Sequence, residues 1–366
     1  MNKKRLAILL GFFIVLLLTG ASCQSTPKDG GIYKTTDQAE TWQQKTFIKK
    51  VNKKTYTISE YEITCFAFDP KNSDTLYAGT KSNGIIVTKD AGESWQNTGM
   101  NNGNITSLSI NHADSNIIFA SKDTTVLRSA DAAANWEIVH TDTQKGNITK
   151  VIIDNYDPKK IYAASSSGIV YKSIDNGNNW IIKLQQTDGI TNLYMRENDT
   201  RILYVLTAKG DLQRTKSGGE QNDWTSLITK EHKQKWPDAK VIKNFFIFKN
   251  QPNALYIATR EGLLKSTDEG QNWTAIKTLI PSKSADNDKI INFIVDPLNV
   301  KNLYFTLTNS DKIHKSTDGG KEWHIIESFP SSQYINVLTI SSLDSKILYA
   351  GMLSPPKKKG LFGQSK

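Results

Sequence analysis

Tryptophan recurs along this chain in one fixed setting. "KSIDNGNNW" ends at Trp180, "KSTDEGQNW" at Trp273 and "KSTDGGKEW" at Trp323. Six copies place an aspartate five residues before the ring: Asp37 and Trp42, Asp90 and Trp95, Asp131 and Trp136, Asp175 and Trp180, Asp268 and Trp273, Asp318 and Trp323. A seventh, "TKSGGEQNDW", ends at Trp224, with Ser217 in the aspartate position and a longer turn. Seven of the eight tryptophans therefore close a copy, and the copies recur every 41 to 53 residues. A period of that size means one supersecondary unit per repeat.

A second pattern interleaves with the first. "ITCFAFDPKNSDTLYAGT" is echoed by "ITKVIIDNYDPKKIYAAS", "INFIVDPLNVKNLYFTLT" and four further copies. Each holds two alternating apolar runs around a Pro/Asn/Asp turn, which predicts a hairpin. The Asp–Trp turn joins two more short strands, so one period holds four strands, A to D. Four strands per repeat, arranged radially, leave few sheet edges open. The expectation is an all-β, seven-bladed propeller, with no helix beyond the N-terminal apolar run. Closure would come from residues 335–352 pairing with 31–46 in a seventh blade. The tail "KGLFGQSK" also reads as a strand C and competes for that place.

The turn chemistry is local. An aspartate side chain accepts hydrogen bonds from N–H groups a few residues on. Gly177, Gly270 and Gly319 or Gly320 supply positive φ without steric cost. The tryptophan can bury a large ring between blades. These segments resemble Asp-box, or bacterial neuraminidase, repeats. Their arrangement is similar to that in photosystem II assembly factors, sortilin ectodomains and xyloglucanases, over residues 31 to 363. The resemblance implies that Asp37, Asp90, Asp131, Asp175, Asp268 and Asp318 are structural, on the face away from the binding surface. It is specific for fold and not for function.

The N-terminus has a different character. Lys3, Lys4 and Arg5 precede an apolar run from Leu6 to Leu18, too short to span a bilayer comfortably. Gly20, Ala21 and Ser22 then lead to Cys23, and "LTGASC" resembles a bacterial lipoprotein signal. The expected organisation is a signal over 1–22, a tether over 23–30 with lipid on Cys23, and the propeller over 31–366. The expected location is the exported cell envelope, anchored to a membrane. The second cysteine, Cys65, lies in an apolar strand and reads as a small buried hydrophobe. With Cys23 lipidated, no disulfide is possible.

The formal charge is +10, and only six of the 46 basic residues are arginine. Readers of nucleic acid lean on arginine forks, so nucleic acid is not expected as a partner. The excess fits solubility and attraction to an anionic surface. In this topology the A–B and C–D turns share a lower face, and the D–A and B–C loops an upper one. The variable upper loops are where a specific site belongs. They gather Lys49, Lys50, Lys53 and Lys54, then Lys357, Lys358 and Lys359, and Lys230, Lys233 and Lys235 beside Trp236.

The function expected is protein binding or assembly in the envelope, with an envelope or membrane protein as partner. The alternative is a propeller that binds or cleaves polysaccharide, in which case it would be a glycoside hydrolase. A sialidase needs clustered arginines, and only Arg260 falls on the upper face. A glycosidase needs two facing carboxylates. Glu60, Glu62, Asp188, Glu231, Asp238, Asp286 and Asp288 are available, and no pair stands out. No histidine pair has metal-ligand spacing, so neither metal nor cofactor is expected.

Overall fold

The computed structural model describes residues 28–235, 242, 244–248, 251–259, 262–276 and 289–355. Their strands form seven four-stranded antiparallel sheets and one separate hairpin. The first blade runs Ile63–Phe68, Leu76–Thr80, Ile85–Thr88 and Gln96–Asn97, strands A to D in order. Strand A of the next five blades is Ile105–Ile110, Ile148–Ile153, Ile190–Met195, Asn244–Phe248 and Ile290–Val295. These A strands face one another around the axis, so the chain is an all-β seven-bladed propeller.

Ring closure uses both ends of the described chain. Tyr334–Ile340 pairs with Leu348–Leu353, which pairs with Ile32–Thr35, which pairs with Gln43–Gln44. Ile32 lies opposite Gly351, and Thr35 opposite Leu348. Strand C of the closing blade is thus Ile32–Thr35. The tail segment "KGLFGQSK" lies outside the described residues.

The B strands LYAGT, IYAAS, LYVLT and LYFTL are buried along their whole length. Strands A and C cover their edges, and neighbouring blades cover both faces. The core accordingly lies between blades rather than within them. One cluster joins Tyr77 and Val87 of the first blade to Ile105, Leu108 and Ala120 of the second. The outermost D strands are only two to five residues long, which limits the unpaired edge.

Three local features depart from expectation. The connection containing "FIKKVNKKTYT" is not an open loop. Phe47–Val51 and Lys54–Thr57 form a hairpin around a two-residue turn, with Asn52 at φ 54°. Asparagine tolerates that conformation, and alternating Thr and Tyr favour the strand. A short helix, Lys230–Lys235, interrupts the D–A connection of the fourth blade. Thr229 begins it, its hydroxyl accepting the His232 N–H at 3.4 Å, and Glu231 lies in its first turn. No helix among the described residues is long and apolar enough to cross a membrane.

The third departure concerns residues 28–30, expected as tether. They are docked on the ring. Asp29 accepts bonds from Tyr33, from the Ser331 hydroxyl and from the N–H of Ser332. Burial opposes its ionisation, but these bonds outweigh it and hold the carboxyl below the usual range. The Gln44 amide reaches the carbonyls of Lys28 and Gly30.

Candidate functional site on the upper face

The lower face is built by the repeated turn. In each regular copy a Ser or Thr stands two residues before the aspartate. Its hydroxyl donates to the carboxylate and accepts the N–H four residues on, as Ser266 does toward Asp268 and from Gly270. The carboxylate in turn accepts the N–H of the residue before Trp, from Asn272 to Asp268 at 2.8 Å. The same bonds recur at Asp37, Asp90, Asp131, Asp175 and Asp318. The hydroxyl partner was present in every copy of the sequence and is the part that sequence reasoning missed. Bonds from the Thr35 and Thr41 side chains hold Asp37 down to about 2; bonds from Asn179 do so for Asp175, and bonds from Asn272 for Asp268.

The irregular copy keeps the chemistry by another route. Ser217 lacks a carboxylate, and Asp223, supplied by the longer turn, takes the bonds of Thr215, Ser217 and the Lys216 N–H. The copy therefore departs from the pattern in sequence and not in bonding.

Four of the turns are also seams. Lys34, Arg128, Arg214 and Lys315, all on C strands, donate to the carbonyls of Ala91, Asn176, Glu269 and Gln38 in the turn of the next blade. Those four acceptors all have positive φ. N–H groups of the turns bond back to the A–B turn of their own blade, as Ala91 does to Asp74 at 2.8 Å, so the two turn sets share the lower face.

These groups set an acid response. Burial against Phe305, whose ring stacks at 4.2 Å, pushes His314 down to about 4. Both the histidine and the aspartates are depressed on folding, so each stabilises above its unfolded value and loses that contribution as pH falls. His314 contributes a loss between about pH 6.5 and 4, and the aspartates a loss between about pH 4 and 2. Burial also depresses His140, so melting temperature against pH should fall in these two steps and His314→Leu should shrink the upper one. A wild-type melting temperature unchanged down to pH 4 would refute the assignment.

The upper face rests on a recurring irregularity. Strand A carries a register shift near its start in six blades, at 63/65, 105/107, 148/150, 190/192, 290/292 and 335/337. Such bulges re-aim side chains near a strand end. Beside these shifts, short polar groups reach the next blade: Thr106 to the Ile148 carbonyl, Asn292 to that of Asn336, and Asn336 to that of Ile63; Asn244, in the strand without a shift near its start, reaches that of Ile291. A pocket of about 280 Å3 opens over the fourth to sixth blades, lined by Thr191, Thr207, Ala208, Asn244, Lys289 and Ile291 among others. Thr191 donates to the Leu206 carbonyl, Thr207 accepts the Asp211 N–H, and Asn244 is bonded by Tyr194 and to Ile291, so Lys289 supplies the ammonium; no carboxylate occurs among the described lining residues.

The predicted binding residues fall in different places. Lys49, Lys50, Lys53 and Lys54 are all exposed on the added hairpin. Trp236 and Lys357, Lys358 and Lys359 lie outside the described residues, as do Cys23 and Arg260. Of the candidate carboxylates, Glu60 pairs with Lys28, Glu62 pairs with Lys81 at 2.9 Å, and Asp188 accepts the Lys209 N–H. Glu231 is bonded by Thr229. Asp238, Asp286 and Asp288 lie outside the described residues. No group of three or more His, Cys, Asp or Glu among the described residues is placed to hold a metal ion. Burial pushes the Cys65 thiol up to about 11, which leaves it protonated and a poor nucleophile.

Comparison with known proteins adds family and fold. A family model described as photosynthesis system II assembly factor YCF48 matches residues 51–338. An 81-residue stretch is 35% identical to a Neosartorya fischeri protein named as a probable oligoxyloglucan-reducing end-specific xyloglucanase, covering 22% of this chain and 10% of that protein. Among solved structures, the GH74 xyloglucanase of Xanthomonas campestris is similar at TM-score 0.63 and 15% identity, over 80% of this chain and 51% of that one. A structure of YCF48 bound to D1 peptide is similar at TM-score 0.60 and 15% identity, over 80% of this chain and 94% of that one. YCF48 from Cyanidioschyzon merolae gives 0.59, 15%, 80% and 96%. The chain thus spans about half the length of the bacterial xyloglucanase and a tenth of the fungal protein. Likeness at 15% identity is likeness of fold.

Proposed function

Because the chain belongs to the family of the photosynthesis system II assembly factor YCF48, we propose that it is a protein-binding scaffold whose upper face holds a peptide segment of a partner protein. The observation that carries this reading is the upper pocket, where Lys289 lies beside Thr191, Thr207 and Asn244 with no carboxylate among the described lining residues. An ammonium in a pocket suits an acidic side chain or the C-terminus of a peptide segment. A relative of the same fold and nearly the same extent has been seen with a peptide bound. The partner's source would be an envelope or membrane protein.

The polysaccharide reading is favoured by the xyloglucanase likeness alone. Retaining and inverting glycosidases both need a pair of carboxyl groups across the scissile bond. The four described candidates are each engaged locally, which supports binding over cleavage. Incubation with xyloglucan should release no reducing sugar. Turnover that co-purifies with the chain, and is lost on changing one upper-face carboxylate to its amide, would overturn the proposal.

We propose further that the chain works at the membrane of an exported compartment, held by lipid on Cys23. The support is sequence: three basic residues, the run Leu6–Leu18, then small residues and cysteine. The several acyl chains of a bacterial lipoprotein would hold it firmly. Cys23→Ala should move the protein from the membrane to the soluble fraction; retention after a high-salt wash would rule out that anchor.

A further inference from the structure

The hairpin Phe47–Val51/Lys54–Thr57 is an addition to the blade plan. Ile48 alone reaches the core, beside Ile58 and Trp95. Every other residue from Phe47 to Thr57 is exposed, including the large apolar Phe47, Val51 and Tyr56. A two-stranded hairpin with both faces in water is marginal alone. Its register sets Lys49 opposite Tyr56 and Val51 opposite Lys54. Pairs two residues apart share a face, so one face combines two lysines, a tyrosine and a valine. The ammonium groups of Lys49 and Lys54 lie 5.8 and 5.0 Å from the Tyr56 ring centre. No acidic residue occurs between 47 and 57, and none of the four lysines forms an ion pair among the described residues.

The root of this hairpin is also where the chain enters the ring. The Ile58 N–H bonds the Thr46 carbonyl, and the Trp95 N–H bonds that of Phe47, both at 2.8 Å. Gly31, at φ +73°, threads between them; a Cβ there would sit 2.7 Å from the Ile58 carbonyl oxygen. Glu60, just past the hairpin, pairs with Lys28. The segment before Lys28 therefore departs from the hairpin's root. Between Cys23 and Lys28 only residues 24–27 intervene, a reach of at most roughly 18 Å.

We propose that this hairpin is a contact for an anionic bilayer surface. Lys49, Lys50, Lys53 and Lys54 meet the headgroup charge, while Tyr56, Val51 and Phe47 enter the interfacial layer. A tyrosine suits that layer because one end is apolar and the other wet, and lysines beside it keep their heads at the charged level. Four lysines without an arginine favour diffuse charge over the forked recognition of a single protein carboxylate. Lipid on Cys23, as proposed above, would bring the root toward the same surface, but the hairpin's affinity stands without it.

The test uses a chain beginning at Gln24, which keeps every contact described above, since these start at Lys28. It is sedimented with vesicles of phosphatidylcholine alone or with phosphatidylglycerol, in low and high salt. Binding should require the anionic lipid and weaken in salt. Changing the four lysines to Gln should weaken it by at least roughly 100-fold. Val51→Ser with Tyr56→Ser should weaken it several-fold in low salt with the charge intact, and an environment-sensitive dye on Asn52→Cys should shift to the blue on vesicles. Melting temperatures of the variants should match the parent. Unchanged vesicle binding by the four-Gln chain would overturn the proposal. So would the absence of vesicle binding by the parent, whether or not an acidic protein protects the same lysines.

Discussion

Trp95→Ala is expected to cost about 3–5 kcal/mol, among the largest losses available from one substitution in this ring. Trp95 is 0% exposed and packs against Ile32, Ile58, Ile63, Leu76 and Tyr349. Those residues come from the closing blade and the first blade, so the cavity would open at the seam where the chain's two ends meet. Its indole N–H also donates to the Lys45 carbonyl at 2.9 Å, across the same seam. Trp180 occupies the same turn position in the third blade and is only half-buried. Its indole bonds Gly177 of its own turn. Trp180→Ala should therefore cost clearly less. Guanidinium denaturation of both variants measures the difference. Equal losses would mean that the closing seam carries no special weight.

The fold was legible because the chain writes the same instruction many times. Alternating runs around Pro/Asn/Asp turns predict A–B hairpins, and the Asp–Trp turn predicts C–D pairs. What single copies add was less legible. The added hairpin has a lysine-rich sequence that reads equally well as a solvated loop, and only its pairing register separates the two. The short helix Lys230–Lys235 spans less than two full turns, too few for a helical period to declare itself. Arg128 and Arg214 lie on C strands. Their role as donors to the next blade's turn depends on carbonyls some fifty residues away, at Asn176 and Glu269. Asp223 replaces the missing carboxylate from a different sequence offset, which no fixed spacing would reveal.

The candidate site was less legible still. The upper loops pointed to lysines, and the structure adds a pocket whose lining comes from strand ends. Thr191, Asn244 and Ile291 belong to A strands that look alike in every repeat. Bulges lie at Thr191 and Ile291, and a bulge leaves almost no mark in an alternating apolar sequence. A division of labour follows. The lower turns carry bonds that repeat around the ring, and their aspartates are used up in holding it. The upper ends of the same strands differ from blade to blade, which is what recognition of one partner requires.

The central claim is that a protein partner sits on the upper face and that the Asp-box face only builds. Ala208 lines the upper pocket, and Lys321 lies in the turn of Asp318; both are exposed. A photoreactive benzoylphenylalanine at each position, introduced one at a time into the full-length chain, measures in whole cells which face meets the partner. Irradiation should yield a discrete protein adduct from position 208 and none from 321, and Lys289→Glu should reduce the first by about tenfold or more, the change expected when a charge-paired contact becomes repulsive. A discrete adduct from position 321 with none from 208 would contradict the account and place recognition on the repeated turn itself.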